Sequence, residues 1–449
     1  MRTLTANENV RLLFWARVRE FAVPPSMIET ATARRVAGDW AGACAAARVD
    51  VDLDLRAVRR AHGRSGAERV RDDLRHLAPD LLRWHFPRVA PDGLLRPGLT
   101  VSLARYRLPS AEGGGDVSVH LVARTPPAWA QGGQRISLAL WEASRAGPHP
   151  HPRPDRRFRL DLHRHLWDVR RVGELAERAG AGPGSAGGEP VADARWEGFA
   201  VGRWGHEAAL LLRAEGSPGR LVSVRLGGKR RLVLEVGAHG GARVTAVRPG
   251  GRLLPVLPEA ATSVLPDWEL LRAGLIDADR LHPLVASALL PDHRPAEAPR
   301  GPDGPGDVHL VECRGATHRI GVVDGILVPL DHDPDEIRRE ELLVALGGPP
   351  LPCLRTIDDA HRHPESLPDV RARLDHGDTA GALAAVETLL GPDASLRSGT
   401  LRDELETAHQ RRVAHGLYRA GLAGTGIGPT AGGPRRRQCR TRARHAAAR

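Results

Sequence analysis

Apolar positions along the chain change their period three times, and each change marks a different kind of element. Between residues 6 and 86 the period is helical. Val10, Leu13, Phe14, Val18 and Phe21 fall on one predicted face, and Pro24-Pro25 ends that helix. Met27 to Arg48 reads as a helical hairpin broken at Gly38-Asp39, with Asp39 as N-cap of the second helix. Val70, Leu74, Leu77, Leu81 and Leu82 mark a further amphipathic helix. From Gly98 the period drops to two, giving strands at Leu99-Val101-Leu103, Val117-Val119-Leu121 and Ile136-Leu138-Leu140, with Phe158-Leu160-Leu162 as a fourth. A helix is expected near Asp168–Ala179.

The stretch from Gly205 to Pro258 carries four apolar runs: Leu210-Leu211-Leu212, Leu221–Leu226, Leu232–Val236 and Val244–Val247. Glycine-rich turns separate the later runs, so the whole reads as an antiparallel meander. Asp267–Leu290 is mostly helical. Past the Pro/Gly-rich stretch Arg294–Gly306 come three short strands, the last two joined by Asp324-Gly325, a favoured hairpin dipeptide. Pro334–Leu422 reads helical. The expected class is α+β, with helical N- and C-terminal regions around largely antiparallel β regions.

The expected divisions are a helical region at 1–92, a β-rich region with a helix at 93–180, and a linker at 181–193. A meander plus helices at 194–293, a Pro/Gly linker at 294–306 and a β-hairpin module at 307–332 follow. A helical region at 333–423 and a basic, disordered tail at 424–449 complete the chain.

Composition narrows this picture. Among 65 basic residues Lys229 is the only lysine, and Asn7 and Asn9 are the only asparagines. This is the spelling of a G+C-rich gene, which weakens Arg, Gly and Pro as functional signals. The chain carries +11, but seven arginines lie in residues 435–449 without an acid, leaving +4 on the first 434 residues. Basicity is a tail property. Arg435, Arg436, Arg437, Arg440, Arg442 and Arg444 could track phosphates, so nucleic-acid binding is one candidate activity. Without interleaved aromatics, base stacking has no support. No secretory signal or 20-residue apolar span is legible, so a cytoplasmic protein with no membrane contact is expected.

Cys44, Cys313, Cys353 and Cys439 stand far apart with no Cys-x-x-Cys pair, which argues against a thiolate zinc site and against a disulfide scaffold. The one local metal motif is Leu160-Asp161-Leu162-His163-Arg164-His165. It resembles the Asp-x-His-x-His segment that opens metal-dependent hydrolases of the amidohydrolase and PHP type. The resemblance implies a divalent metal on His163 and His165, with Asp161 orienting one imidazole and a metal-bound hydroxide as nucleophile. His239, His293 and His332 are isolated candidates beside it. Asp331-His332-Asp333-Pro334-Asp335-Glu336 reads as a helix start with Asp333 as N-cap, and Asp50, Asp52 and Asp54 as a solvated strand face or helix entry.

Gly38-Asp39-Trp40-Ala41-Gly42-Ala43 returns as Gly377-Asp378-Thr379-Ala380-Gly381-Ala382, and the segment resembles the turn of tetratricopeptide-type helical hairpins. Phosphate loops, nucleophile elbows and helical zinc motifs are missing from the sequence. The expectation is therefore a non-enzymatic protein whose partner is another protein, with no cofactor. The hydrolase at His163 and His165 is the alternative.

Overall fold

The computed structural model describes residues 6–422 except 111–114, 144–152, 180–195, 197, 228–229, 238–240, 246–253, 295–308, 314, 324–325, 347–350, 356–366 and 391–398. The linker at 181–193, the Arg294–Gly306 stretch past residue 294, the Asp324-Gly325 turn, His239 and the arginine tail therefore lie outside the described residues. The protein is α+β, with helices towards both ends and largely antiparallel sheets between them. It divides into two compact units. Among the described residues unit 1 takes those within 6–128 and 135–294, and unit 2 those within 129–134 and 309–422.

Unit 1 opens with α1 (Ala6–Phe21), α2 (Pro25–Val36) and α3 (Trp40–Ala46). β1 (Val49–Val51), α4 (Leu55–His76) and α5 (Pro79–His85) come next. A small ladder, β2 (Arg88–Val89) with β3 (Leu94–Leu95), leads into β4 (Thr100–Pro109), β5 (Asp116–Arg124) and β6 (Ile136–Glu142). The main sheet has the order β1-β6-β5-β4. β4, β5 and β6 stand at the three strand positions expected there and run antiparallel, and β1 adds to β6 in parallel. β1 explains the alternating aspartates. Asp50 pairs with Arg135, while Asp54 caps α4 by accepting from the amides of Arg56 (2.8 Å) and Ala57 (3.2 Å).

Phe158-Leu160-Leu162 is not a strand. A single bridge, Arg159 to Ser102, joins this segment to β4, and its backbone turns back on itself through Leu162 N–H to Arg159 O and His163 N–H to Leu160 O. Phe158 and Leu160 are buried all the same. α6 (Leu175–Arg178) follows a 3₁₀ turn at 169–174.

The Leu210-Leu211-Leu212 run is a correction. It belongs to α7 (Trp204–Ala214), and three strands, not four, make the next sheet: β7 (Leu221–Arg225), β8 (Arg231–Val236) and β9 (Ala242–Thr245), in sequence order. Trp204, Ala208 and Leu211 repeat at helical spacing and pack with Val222, Val224, Leu234 and Val236 as a second core of this unit. The run was long enough for either element; the spacing back to Trp204 decides it. α8 (Glu259–Thr262), α9 (Pro266–Ala273) and α10 (Pro283–Leu289) end the unit, the last two packing into the main core.

Unit 2 contains β10 (His309–Cys313), β11 (Ala316–Val323) and β12 (Ile326–Pro329), an antiparallel sheet in sequence order. α11 (Pro334–Ala345), α12 (Leu367–Asp375), α13 (Thr379–Leu390) and α14 (Thr400–Arg419) follow, with a helical turn at 352–355 between the first two. Asp333 caps α11 by accepting from the Asp335 amide at 2.9 Å, with Pro334 as first helical residue. The segment Trp129–Gln134 lies along α14: His415 Nδ1 donates to the Ala130 carbonyl at 2.9 Å, and Trp129 meets Tyr418 edge to face. At Gly132 the fit leaves no room, since a Cβ there would stand 2.0 Å from the Arg411 carbonyl oxygen. Gly132→Ala is expected to cost about 1–3 kcal/mol as α14 is pushed back, measured by urea denaturation; an unchanged midpoint would mean the segment is not docked.

The two Gly-Asp turns share one geometry. Gly38 (φ +79°) and Gly377 (φ +82°) stand in the left-handed region. The amides of Asp39 and Asp378 reach back to the carbonyls of Arg34 and Arg373, and each carboxylate then accepts from the glycine three residues on. A glycine C-cap fused to an aspartate N-cap accounts for both.

Candidate functional site

The 160–165 segment holds its polar groups in internal pairs. Asp161 takes both of its bonds from Arg159 (2.8 and 2.7 Å), whose remaining guanidinium edge reaches Glu215. Burial alone would lower the Arg159 pKa, but these two carboxylates more than reverse it. Asp161 is thus paired with a guanidinium and makes no bond to either imidazole. His163 is buried, with Nδ1 donating to the Arg159 carbonyl at 2.9 Å and Nε2 3.3 Å from Glu207 Oε2. Glu207, from the first turn of α7, also accepts from Arg178 (2.7 and 2.8 Å) and Arg203 (2.6 Å). Burial pushes this carboxyl up; His163 and the two guanidiniums outweigh it and bring it down to about 2.

His165 lies beside His163, ring centroids 5.8 Å apart, and burial, reinforced by His163 and Arg178, drives its pKa far below the usual imidazole value. The two histidines of the motif do come together. The carboxylate beside them is already neutralised by guanidiniums, and the local surroundings oppose added positive charge. His293 is bound to Asp279 at 2.7 Å.

A different set converges in unit 2. Among the described residues the one group of three or more His, Cys, Asp or Glu side chains able to share an ion is Cys313, His332 and Cys353, with ligand atoms within 4.8 Å of one another. The local sequence explains each placement. In the β10–β11 hairpin Val311 faces His318 and Cys313 faces Ala316, so Cys313 and His318 share one face of the ladder. His332 stands at the turn before α11, and the cap at Asp333 fixes the chain there while Asp331 is held by Arg319. Its ring stacks on His318, centroids 4.1 Å apart and planes within 9°. Cys353 arrives on the helical turn at 352–355.

Both thiols are fully buried and free, alongside Ile320 and Leu351 in a core of four buried residues among those described. Burial, then the neighbouring Cys313 thiol, pushes the Cys353 thiol up to about 11. His332 Nε2 and His318 Nδ1 are buried without a hydrogen-bond partner among the described residues, each a deficit of about 1–3 kcal/mol. His332 Nδ1 faces Glu336 at 3.4 Å.

Cys313 and Cys353 come together although they stand 40 residues apart with no Cys-x-x-Cys pair. The side chains gathered here come from a strand, the facing strand, a helix entry and a later turn, so no short spacing announces them. The one readable sign was the hairpin, whose alternation puts Cys313 and His318 on a common face.

A third feature is an apolar helix end. Leu342, Leu343, Val344 and Leu346, at the close of α11, are 61%, 50%, 38% and 85% exposed. They follow an exposed Arg338-Arg339 pair. Among the described residues no helix is long and apolar enough to cross a membrane. No protein-family model matches this chain, and neither a curated protein nor a solved structure does.

Proposed function

We propose that the protein is a non-enzymatic accessory protein that works by binding another protein, with the C-terminal end of α11 as its contact. One observation carries the reading. Four large apolar side chains within five positions are exposed together, where an ordinary surface helix would turn such residues to a core. A compact apolar centre with charged residues on the preceding turn is the composition of a protein-binding patch. The guanidinium partners of Asp161 and Glu207 favour this reading over hydrolysis at His163 and His165, because they occupy the carboxylates that metal-assisted catalysis would need.

The test is in-cell crosslinking of the full chain against a Leu342→Asp, Leu346→Asp variant. The variant is expected to lose at least tenfold in the yield of its principal crosslinked partner, with an unchanged circular dichroism spectrum and melting curve. Equal yields from both chains would refute the contact. Light scattering on the wild-type chain separates self-association from binding a second protein.

A further inference from the structure

We propose that unit 2 holds one zinc ion on Cys313, His332 and Cys353, with His318 as fourth ligand. Two sulfurs and a nitrogen within 4.8 Å of one another stand close to the spacing a tetrahedral ion imposes. Zn–S bonds of about 2.3 Å and Zn–N bonds of about 2.0–2.1 Å place ligand atoms roughly 3.3–3.8 Å apart. A small inward movement of the three side chains closes that gap.

The orphaned nitrogens give the second reason. His332 Nε2 and His318 Nδ1 are buried polar atoms with no protein partner among the described residues, in rings stacked on one another beside the thiols. A cation between the thiols supplies His332 Nε2 with a partner. His318 stands outside that 4.8 Å group and joins it once its ring swings out of the stack, because parallel rings cannot aim their in-plane lone pairs at one ion. The Nδ1 of His332 faces the Glu336 carboxylate, which is how proteins fix the tautomer and orientation of a metal-bound imidazole.

Charge balances as well. On binding, each cysteine releases a proton to solvent, and two thiolates cancel the two positive charges of the ion. Two neutral imidazoles complete the shell, so a buried neutral centre results. Thiolate with imidazole in a four-ligand set selects zinc over the hard cations.

The surroundings set the role. Among the described residues the core at this place has four buried members, and two of them are the cysteines. A metal clip at these cysteines ties the sheet to the following chain, as metals do in small modules. Four protein ligands leave no position open for substrate or water, so the ion is structural. It ties β10, β11, the entry to α11 and the 352–355 turn to one point.

The experiment uses the full chain, purified reduced and without a metal-affinity tag. Elemental analysis is expected to give about one zinc per chain, lost in Cys313→Ser and in His332→Ala but retained in a His163→Ala, His165→Ala double variant. Replacement by cobalt(II) in the wild-type chain needs no variant to fold. It is expected to give the strong visible absorption of a tetrahedral site and a sulfur-to-cobalt band of two-thiolate intensity. His318→Ala is expected to surrender zinc to a chelator at least tenfold more readily, and unchanged competition would remove His318 from the shell. A metal-free chain that gives no cobalt band overturns the site. So does zinc that survives Cys313→Ser, or a Cys313–Cys353 disulfide in freshly purified protein.

Discussion

Arg19→Met is expected to destabilise unit 1 by about 3–5 kcal/mol, a large part of the 5–15 kcal/mol that folded domains typically possess. The Arg19 side chain is 2% exposed and that of Asp267, in the first turn of α9, is wholly buried. Arg19 meets the carboxylate through two bonds of 2.8 and 2.7 Å, gives a third to the Trp84 carbonyl at 2.7 Å, and lies over the Trp84 ring. Trp84 Nε1 donates to the same carboxylate at 2.9 Å. Removing the guanidinium strands Asp267 in the core with the indole N–H as its remaining side-chain donor among the described residues.

Urea denaturation at pH 7 measures the loss. An Arg19→Met chain within about 1 kcal/mol of wild type would mean the network is not formed. Adding Asp267→Leu should return part of the loss, since an apolar pair replaces a buried ion pair at little cost, while the unpaired Trp84 N–H retains a penalty of about 1–3 kcal/mol. Burial raises the Asp267 carboxyl, but Arg19, with His85 and the indole, overrides this and holds it below its ordinary value. A depressed carboxyl contributes in full above its unfolded pKa near ~3.9 and loses that contribution as pH falls through the folded value.

The same pair shows where sequence reading succeeds and where it stops. Alternation located β4, β5 and β6 because each has one face in the core and the pleat has a fixed period. On α1 the apolar count went astray. Val18 and Phe21 are buried, but Val10 and Leu13 are 70% and 52% exposed, and Leu12 takes an inner position. Part of the buried face is Arg19, which any polarity scale assigns to water. Its partner lies 248 residues away, so nothing local marks it.

The caps were legible for the opposite reason. Asp39 and Asp333 act on amides two or three residues ahead, and that chemistry is written in adjacent letters; Asp54, read as strand face or helix entry, proves to cap α4 in the same way. Cys313 and Cys353 show the limit most plainly. Their meeting depends on a hairpin, a helix entry and a return of the chain, and each must fold before the thiols are neighbours.

Glu207→Gln is expected to cost a similar 3–5 kcal/mol, although the change is a single atom. The carboxylate, 2% exposed, is the shared counter-ion of Arg178 and Arg203, whose side chains are 12% and 22% exposed. The amide keeps the shape and one acceptor but removes the charge that both partly desolvated guanidiniums share, leaving Arg178 with the more distant Glu174 at 4.0 Å. The pH dependence supplies an independent check. Against an ordinary glutamate near ~4.3, a folded value of about 2 makes the carboxylate worth roughly 3 kcal/mol at neutral pH. Because the folded pKa is the lower one, this contribution is complete above about pH 4.5 and drains away as the pH falls towards about 2. Wild-type stability should therefore show a steep acid limb in that window, and the Glu207→Gln chain a shallower one. A hydrolase at His163 and His165 that also used Glu207, a residue outside the sequence motif, would predict otherwise: a carboxylate reserved for catalysis could become an amide with little loss of stability or even a gain. Equal acid limbs and equal urea midpoints would place Glu207 with the chemistry, whereas a large loss with a flattened limb makes it the electrostatic clamp that fastens α7 to the 160–178 segment.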